Sequence, residues 1–347
     1  MDTNISTIGK SVRTAVIVAL AVSVFTASTF TSALAEVKKV RLAEQFGLLY
    51  LSIMVVVDQK LIQKHAKEMG LGDIAVEQNK FSGGGAMFAA LLSDQVDFIS
   101  TGITPVIRLW AKTKGNVKAV MSIANTPMYL NTVDPKVRKL EDYLTAGSKI
   151  GLPAVKISPQ AVSLQMMAAK MYGKENYKKF DAVTVSMKHP DAMASILGGN
   201  SEVKSHYATM PFLLQELQNP NVRTILKSYD VVGGEHVGAV MSGTRKWKED
   251  NPKTYKAVVA AFEEAMDFIN ANPRKAAKIY IQQTRSKKLT VDALEKMISD
   301  PKLMRYTSTP TRSWPFIEFM THVGNVKGNP KSWKDLFWEN VHDKPGS

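Results

Sequence analysis

The chain of 347 residues contains no cysteine. That excludes a disulfide framework, thiolate metal ligation, a cysteine nucleophile and lipid attachment at an N-terminal cysteine. Its six histidines include no pair at i, i+4 spacing and no HExxH, so no metal site is expected. The glycine run at 83–85 is not followed by the Gly-Lys-Ser/Thr of a Walker loop, and there is no GxGxxG and no GxSxG nucleophile elbow. No cofactor, no catalytic residue and no enzymatic activity are expected on these grounds. Lysines and arginines are scattered without an aromatic-basic motif, which argues against nucleic-acid binding. Beyond residue 35 no apolar run approaches the roughly 20 residues of a membrane span.

What is present begins with an export signal. Lys10 and Arg13 make a basic start, Ala15–Phe25 an apolar core, and Ala33-Leu34-Ala35 a small-x-small site before Glu36-Val37-Lys38-Lys39. Cleavage near Ala35 and a freely soluble periplasmic product are expected. The remaining 312 residues suffice for two domains of ordinary size. Formal net charge is +14, or +13 without Asp2, Lys10 and Arg13, a surplus that attracts anionic solutes.

Short apolar runs alternate with helical stretches. Strands are predicted at 37–43, 74–78, 96–100 and 117–123, with helices at 50–69, 85–92 and 105–112 between them. The pattern restarts with strands at 128–132, 149–152, 182–187, 203–208 and 222–226. Helices are predicted at 137–144, 159–172, 192–197 and 211–218. Two α/β units with mostly parallel sheets follow. After a strand at 236–241 the chain turns helical, with Asn-Pro starts at 251–252 and 272–273 and a Thr290 cap. Trp314, Phe316, Phe319, Trp333, Phe337 and Trp338 make the C-terminal stretch too aromatic to stay unpacked.

In open α/β sheets, ligands bind beyond the carboxyl ends of strands, near helix N-termini. Those loops are 44–47, 81–85, 100–105, 154–159 and 206–211. Ser82-Gly83-Gly84-Gly85 offers a hydroxyl and close backbone approach, or is a plain strand-to-helix turn. Thr101-Gly102 and Ser158-Pro159 repeat that logic, and either hydroxyl residue also suits an ordinary helix start. His206 and His236 lie near strand ends, as ligand contacts or structural histidines.

The order of these loops resembles the nitrate/sulfonate/taurine-type substrate-binding proteins of ABC importers. The resemblance is carried by Gln45-Phe46, Ser82–Gly85, Val96–Pro105, Ser205–Phe212, Val231–Gly234 and Lys246–Pro252. It implies a type II periplasmic-binding-protein fold: two α/β lobes joined by a two-strand hinge, with the helical C-terminal region on the first lobe. Residues 36–125 and 236–347 would form that lobe and 126–235 the second. It implies one small anionic organic solute held between the lobes of a monomer that docks on its ABC permease in the inner membrane. The ligand-binding candidates are Gln45, Phe46, Ser82, Gly83, Gly84, Thr101, Gly102, Ser158, Thr209, Met210 and His236. The family often has tryptophan or aspartate where this chain has Thr209-Met210, which admits aromatic carboxylates and pyrimidine-like solutes beside sulfonates. An exported sensor or enzyme of the same fold is the other alternative.

Overall fold

Among the described residues, ten strands assemble into two separate five-stranded sheets. The computed structural model describes residues 36–81, 83–199 and 201–347; the predicted signal segment 1–35 and Ser82 lie outside them. The strands are β1 (Lys39–Glu44), β2 (Ala75–Lys80), β3 (Phe98–Thr101), β4 (Val117–Asn125), β5 (Tyr129–Thr132), β6 (Lys149–Leu152), β7 (Thr184–Ser186), β8 (Val203–Ala208), β9 (Arg223–Lys227) and β10 (Val237–Thr244). The first half of the chain supplies helices α1 (Leu51–Asp58), α2 (Leu61–Glu68), α3 (Gly84–Leu92), α4 (Ile103–Lys112), α5 (Tyr143–Ala146) and α6 (Pro159–Tyr172). Then come α7 (His189–Gly198), α8 (Phe212–Glu216), α9 (Ser228–Val232), α10 (Arg245–Asp250), α11 (Pro252–Ala271), α12 (Pro273–Thr284), α13 (Val291–Ser299) and α14 (Trp314–His322).

The first sheet has the order β2-β1-β3-β10-β4 and the second β7-β6-β8-β5-β9. In each, four strands run the same way, as expected, and one inserted strand runs against them. β1 runs parallel to β2 and β3, and β6 parallel to β7 and β8. β10 is antiparallel to β3 and β4, and β5 to β8 and β9. The reason is topological. β5 follows β4 out of the first sheet, and β10 returns from the second, so neither enters through a crossover helix as a parallel strand requires. These two crossings make the two-strand hinge, and Val237 pairs with Asn125 where they meet.

The predicted helix over 50–69 is two helices. Lys60 adopts the left-handed conformation (φ 53°), which ends α1 and turns Leu61 and Ile62 back into the core. The amide caps expected at Asn251 and Asn272 are not made. Asn251 Oδ1 accepts from Val37 N at 2.9 Å, and both side-chain amides donate to carbonyls of the preceding helix. Proline still occupies the first turn of α11 and α12, where its missing N–H costs nothing.

The C-terminal helices lie on the first lobe. α11 buries Ala257, Val258, Ala261, Phe262, Ala265, Met266 and Ile269 in the same apolar cluster as β4, α1 and α2. At roughly 25 cal/mol per Å² of apolar surface, each large aliphatic or aromatic side chain there contributes about 1.5–3 kcal/mol. At the rim of that contact, Glu264 on α11 takes Lys64 and His65 of α2, each at 2.7 Å. Phe316, Trp333, Phe337 and Trp338 are buried, and Phe337 bridges to Ala119 of β4. The second lobe has its own core around Leu130, Tyr143, Ile150, Leu164, Phe180 and Tyr207.

Candidate functional site

A cavity lies between the two sheets, where strand-end loops of both lobes face each other. Its enclosed volume is small, about 80 Å³, and it continues into space open to solvent. The first lobe contributes Gln45, Phe46, Leu49, Tyr50, Gly84, Gly85, Phe88, Thr101, Gly102 and Pro105; the second contributes Met128, Pro153, Ile157, Ser158, Gln160, His189 and Thr209. No charged side chain is among the described residues of this lining.

Four helices begin at the cavity. α3 brings Gly84 and Gly85, α4 its N-cap Gly102, α6 its N-cap Ser158, and α7 its first residue His189. Each unpaired first turn carries about half a positive charge. Four such ends, two from each lobe, give an uncharged lining a net attraction for negative charge.

The hydroxyls reinforce that polarity. Thr101 Oγ1 accepts from Gln45 Nε2 at 3.1 Å, which leaves its own O–H free to donate. Ser158 Oγ accepts from Ala161 N at 3.3 Å as the cap of α6, with the same consequence. Thr209 Oγ1 lies 3.3 Å from His189 Nε2. Gln160 is 3% exposed, yet its amide oxygen has no hydrogen-bond partner. Most buried polar groups are paired, so this orphan marks a place where solvent or a ligand completes the site. Burial, with the nearby Glu44 carboxylate, pushes the Tyr50 phenol up, so it stays protonated.

Behind this wall runs a buried polar chain. His189 Nδ1 is 2.7 Å from His206 Nε2, and His206 Nδ1 is 2.5 Å from Glu216 Oε1. Glu216 Oε2 accepts from Asn131 Nδ2 at 2.9 Å. The His189 ring stacks on Phe212 at 5.5 Å. Burial, then the neighbouring imidazole of His206, pushes His189 well below the ordinary histidine range, so it is neutral near pH 7.

The lobes touch beside the cavity. Thr104 Oγ1 donates to Ile157 O at 2.6 Å, Arg108 Nη2 to Lys156 O at 2.8 Å, and Leu48 N to Met210 O at 3.1 Å. Gly102 packs so closely on Pro159 that a Cβ there would stand 2.3 Å from its Cγ.

Among the sequence candidates, Gln45, Phe46, Gly84, Thr101, Gly102, Ser158 and Thr209 meet at this lining. Gly83 lines an adjoining groove with Pro153, Lys188 and Asp191. Ser82 lies outside the described residues. Met210 is fully buried and offers its carbonyl to Leu48 instead of its side chain to the cavity. His236 is displaced from the site altogether. It sits in the hinge, with Nε2 at 2.8 Å from Ser228 Oγ and Nδ1 at 2.9 Å from Val237 O. Ser228 Oγ also accepts from Met128 N at 2.9 Å, so this contact ties the two crossings together. Burial holds His236 neutral by lowering its pKa to about 4.

Sequence reasoning missed His189, Gln160, Phe88 and Met128. His189 had a readable signal: His189-Pro190 follows a strand and opens a helix, as Ser158-Pro159 does. The predicted start at residue 192 passed over it.

No protein-family model matches the sequence, and no curated protein does. Solved structures do match. The periplasmic nitrate-binding protein NrtA from Synechocystis PCC 6803 superposes with a TM-score of 0.67 at 14% identity, over 88% of this chain and 87% of its own. The periplasmic aliphatic sulphonate binding protein SsuA from Escherichia coli gives 0.62 at 16% identity, over 88% and 93%. A Candida albicans protein described as having the generic periplasmic binding protein fold gives 0.62 at 13%, over 87% and 96%. This chain has that fold.

Proposed function

We propose that this protein is the exported, periplasmic substrate-binding component of an ABC importer, and that it captures a small organic oxyanion between its lobes. The observation that carries the reading is the convergence of four helix N-termini and two free hydroxyl donors on a cavity lined by both lobes. Oriented dipoles and O–H donors suit a monovalent anion, which needs charge compensation but no full countercharge. The sulphonate- and nitrate-binding proteins of the same fold support the transport role.

In this reading, residues 36–125 and 236–347 form one lobe and 126–235 the other, and they close about the hinge. Closure over the solute makes the face that docks on a membrane permease, and the protein works as a monomer without turning its ligand over. A solute drives closure only by contacts it makes better in the closed form. An affinity near micromolar, about −8 kcal/mol, is within reach of such a site.

Phe46, Phe88, Leu49 and Met128 favour a solute with an apolar or aromatic body over bare nitrate. Thermal-shift measurement across nitrate, taurine, alkanesulfonates, benzoate, benzenesulfonate and pyrimidines tests this, because a ligand stabilises by RT ln(1 + [L]/Kd). Stabilisation by aromatic or alkyl oxyanions is expected. Stabilisation by none of the anions, or turnover of any of them, refutes the reading.

A further inference from the structure

The strongest unassigned feature is the chain Glu216–His206–His189, which ends at the cavity wall. We propose that this chain is a positioning relay that fixes His189 with its proton on Nε2, aimed at the bound solute, so that the site reads an acceptor oxygen without any cationic side chain. The inference rests on the solute-binding reading above and adds to it the residue that sets hydrogen-bond polarity on the second lobe.

Charge balance in the buried chain fixes where its protons sit. Glu216 and His206 are both fully buried, at 0% exposure. Among the described residues, His206 is the one basic side chain paired with Glu216. A lone carboxylate beside a neutral imidazole would leave an uncompensated buried charge, which is strongly unfavourable. A net-neutral pair avoids it in either of two ways: Glu216 ionised with His206 as imidazolium, or Glu216 protonated with His206 neutral. In the first, His206 donates from both nitrogens. In the second, Glu216 donates to His206 Nδ1, and the ring proton of His206 is on Nε2. Both states therefore point His206 Nε2–H at His189 Nδ1, 2.7 Å away.

The consequence passes along the chain. His189 Nδ1 must accept, and the neutral ring then carries its proton on Nε2. That N–H faces Thr209 Oγ1 at 3.3 Å, a long contact that leaves room for a better acceptor. Thr209, with its oxygen accepting, has its own O–H free, as Thr101 and Ser158 do. The relay thus aligns the second lobe's side chains with the polarity of the helix ends. The ring cannot rotate freely, because Phe212 stacks on one face and His206 holds the far nitrogen. The solute class that follows is a monovalent carboxylate or sulfonate that only accepts hydrogen bonds at its charged end. A primary ammonium solute of the same shape would meet these helix ends and O–H and N–H donors, with the unpaired Gln160 oxygen as an acceptor.

The experiment is nitrogen-detected NMR on histidine-labelled protein, with the six histidines assigned by single substitutions. In the ligand-free protein near pH 7, His189 is expected as a neutral ring protonated at Nε2, and Glu216→Gln is expected to keep that tautomer. The glutamine amide donates to His206 Nδ1 as a protonated carboxyl would. A His189 protonated at Nδ1 in the wild type, or a tautomer that switches in Glu216→Gln, overturns the relay. Benzoate and benzenesulfonate are then titrated as probes, with benzylammonium as the control. The expected result is a shift of His189 Nε2–H on adding either anion and none with benzylammonium. His189→Phe, which preserves the stacking on Phe212, should lower the affinity for the anion at least tenfold. If that variant fails to fold, the wild-type tautomer and titration still decide. A solute that stabilises the protein without moving His189 Nε2–H sinks this inference and leaves the transport reading standing. Absence of any anion effect on either measurement sinks both.

Discussion

Replacing Gly102 with alanine should prop the lobes apart. Gly102 has φ −61° and ψ 162°, which any residue adopts, so the substitution adds no backbone strain of its own. Its effect comes from one contact. The new Cβ would lie 2.3 Å from Pro159 Cγ and 2.7 Å from Cδ, where ordinary contact begins near 3.4 Å. Those carbons are locked in a ring at the start of α6 and cannot swing aside, so the facing surfaces must part by about 1 Å. Overpacking of this kind costs about 1–3 kcal/mol. The open form does not feel it, so the whole cost falls on closure, and the closed-to-open ratio drops about 5- to 150-fold. Solute affinity should fall by the same factor.

The chain's lack of cysteine gives a clean assay. Spin labels on Leu92→Cys and Leu197→Cys, exposed by 45% and 39% on opposite lobes, report the interlobe distance with and without the solute that stabilises most in the thermal screen. Gly102→Ala should broaden the distribution toward longer distances, and adding Pro159→Ala should restore it. An unchanged affinity and distance distribution in Gly102→Ala, or no rescue by the second substitution, refutes the reasoning.

Two predictions concern pH, with opposite signs. His236 is fully buried and its pKa is lowered from 6.5 to about 4, so its neutral form stabilises the fold above pH 6.5 and that stabilisation is lost as pH falls toward 4. The loss amounts to about 3 kcal/mol, and His236→Phe, which keeps the edge-on packing against Tyr229 and Phe316, should flatten urea-denaturation stability between pH 6.5 and 4. Glu44 is also fully buried; desolvation outweighs Lys80 and raises its pKa to about 7, so its contribution is favourable below pH 4.5 and is lost as pH rises through 7. Glu44→Gln should therefore stabilise the protein above pH 7, by up to about 3 kcal/mol less the lost contact to Lys80, and a variant no more stable at pH 8 than the wild type would contradict this.

How far the sequence could be read depended on whether the signal was local. α6 and β8 run over the residues predicted for them, because Ser158-Pro159 starts one and the other is a short strand buried along nearly its whole length. The break at Lys60 was invisible, since no glycine or proline marks it. The strand at 236–241 was legible, but its antiparallel entry into the first sheet was not, because strand direction depends on which lobe the chain comes from. The loops holding Gln45, Thr101 and Ser158 were found by the strand-end rule alone. His236 came from the family resemblance, which does not say which way a side chain turns, and it faces the hinge; His189, which faces the cavity, was hidden by a helix start predicted three residues too late.

The sequence by itself determined the α/β class, the helical C-terminal region and the loops at which helices begin, because periodicity, caps and prolines act within a few residues. Only the tertiary structure decided that four helix ends meet on one uncharged cavity, and that Glu216, ten residues after His206 in the chain, stands behind a histidine at its wall. Those relations depend on how two sheets face one another across a hinge, and contacts between residues so far apart leave no pattern along the chain.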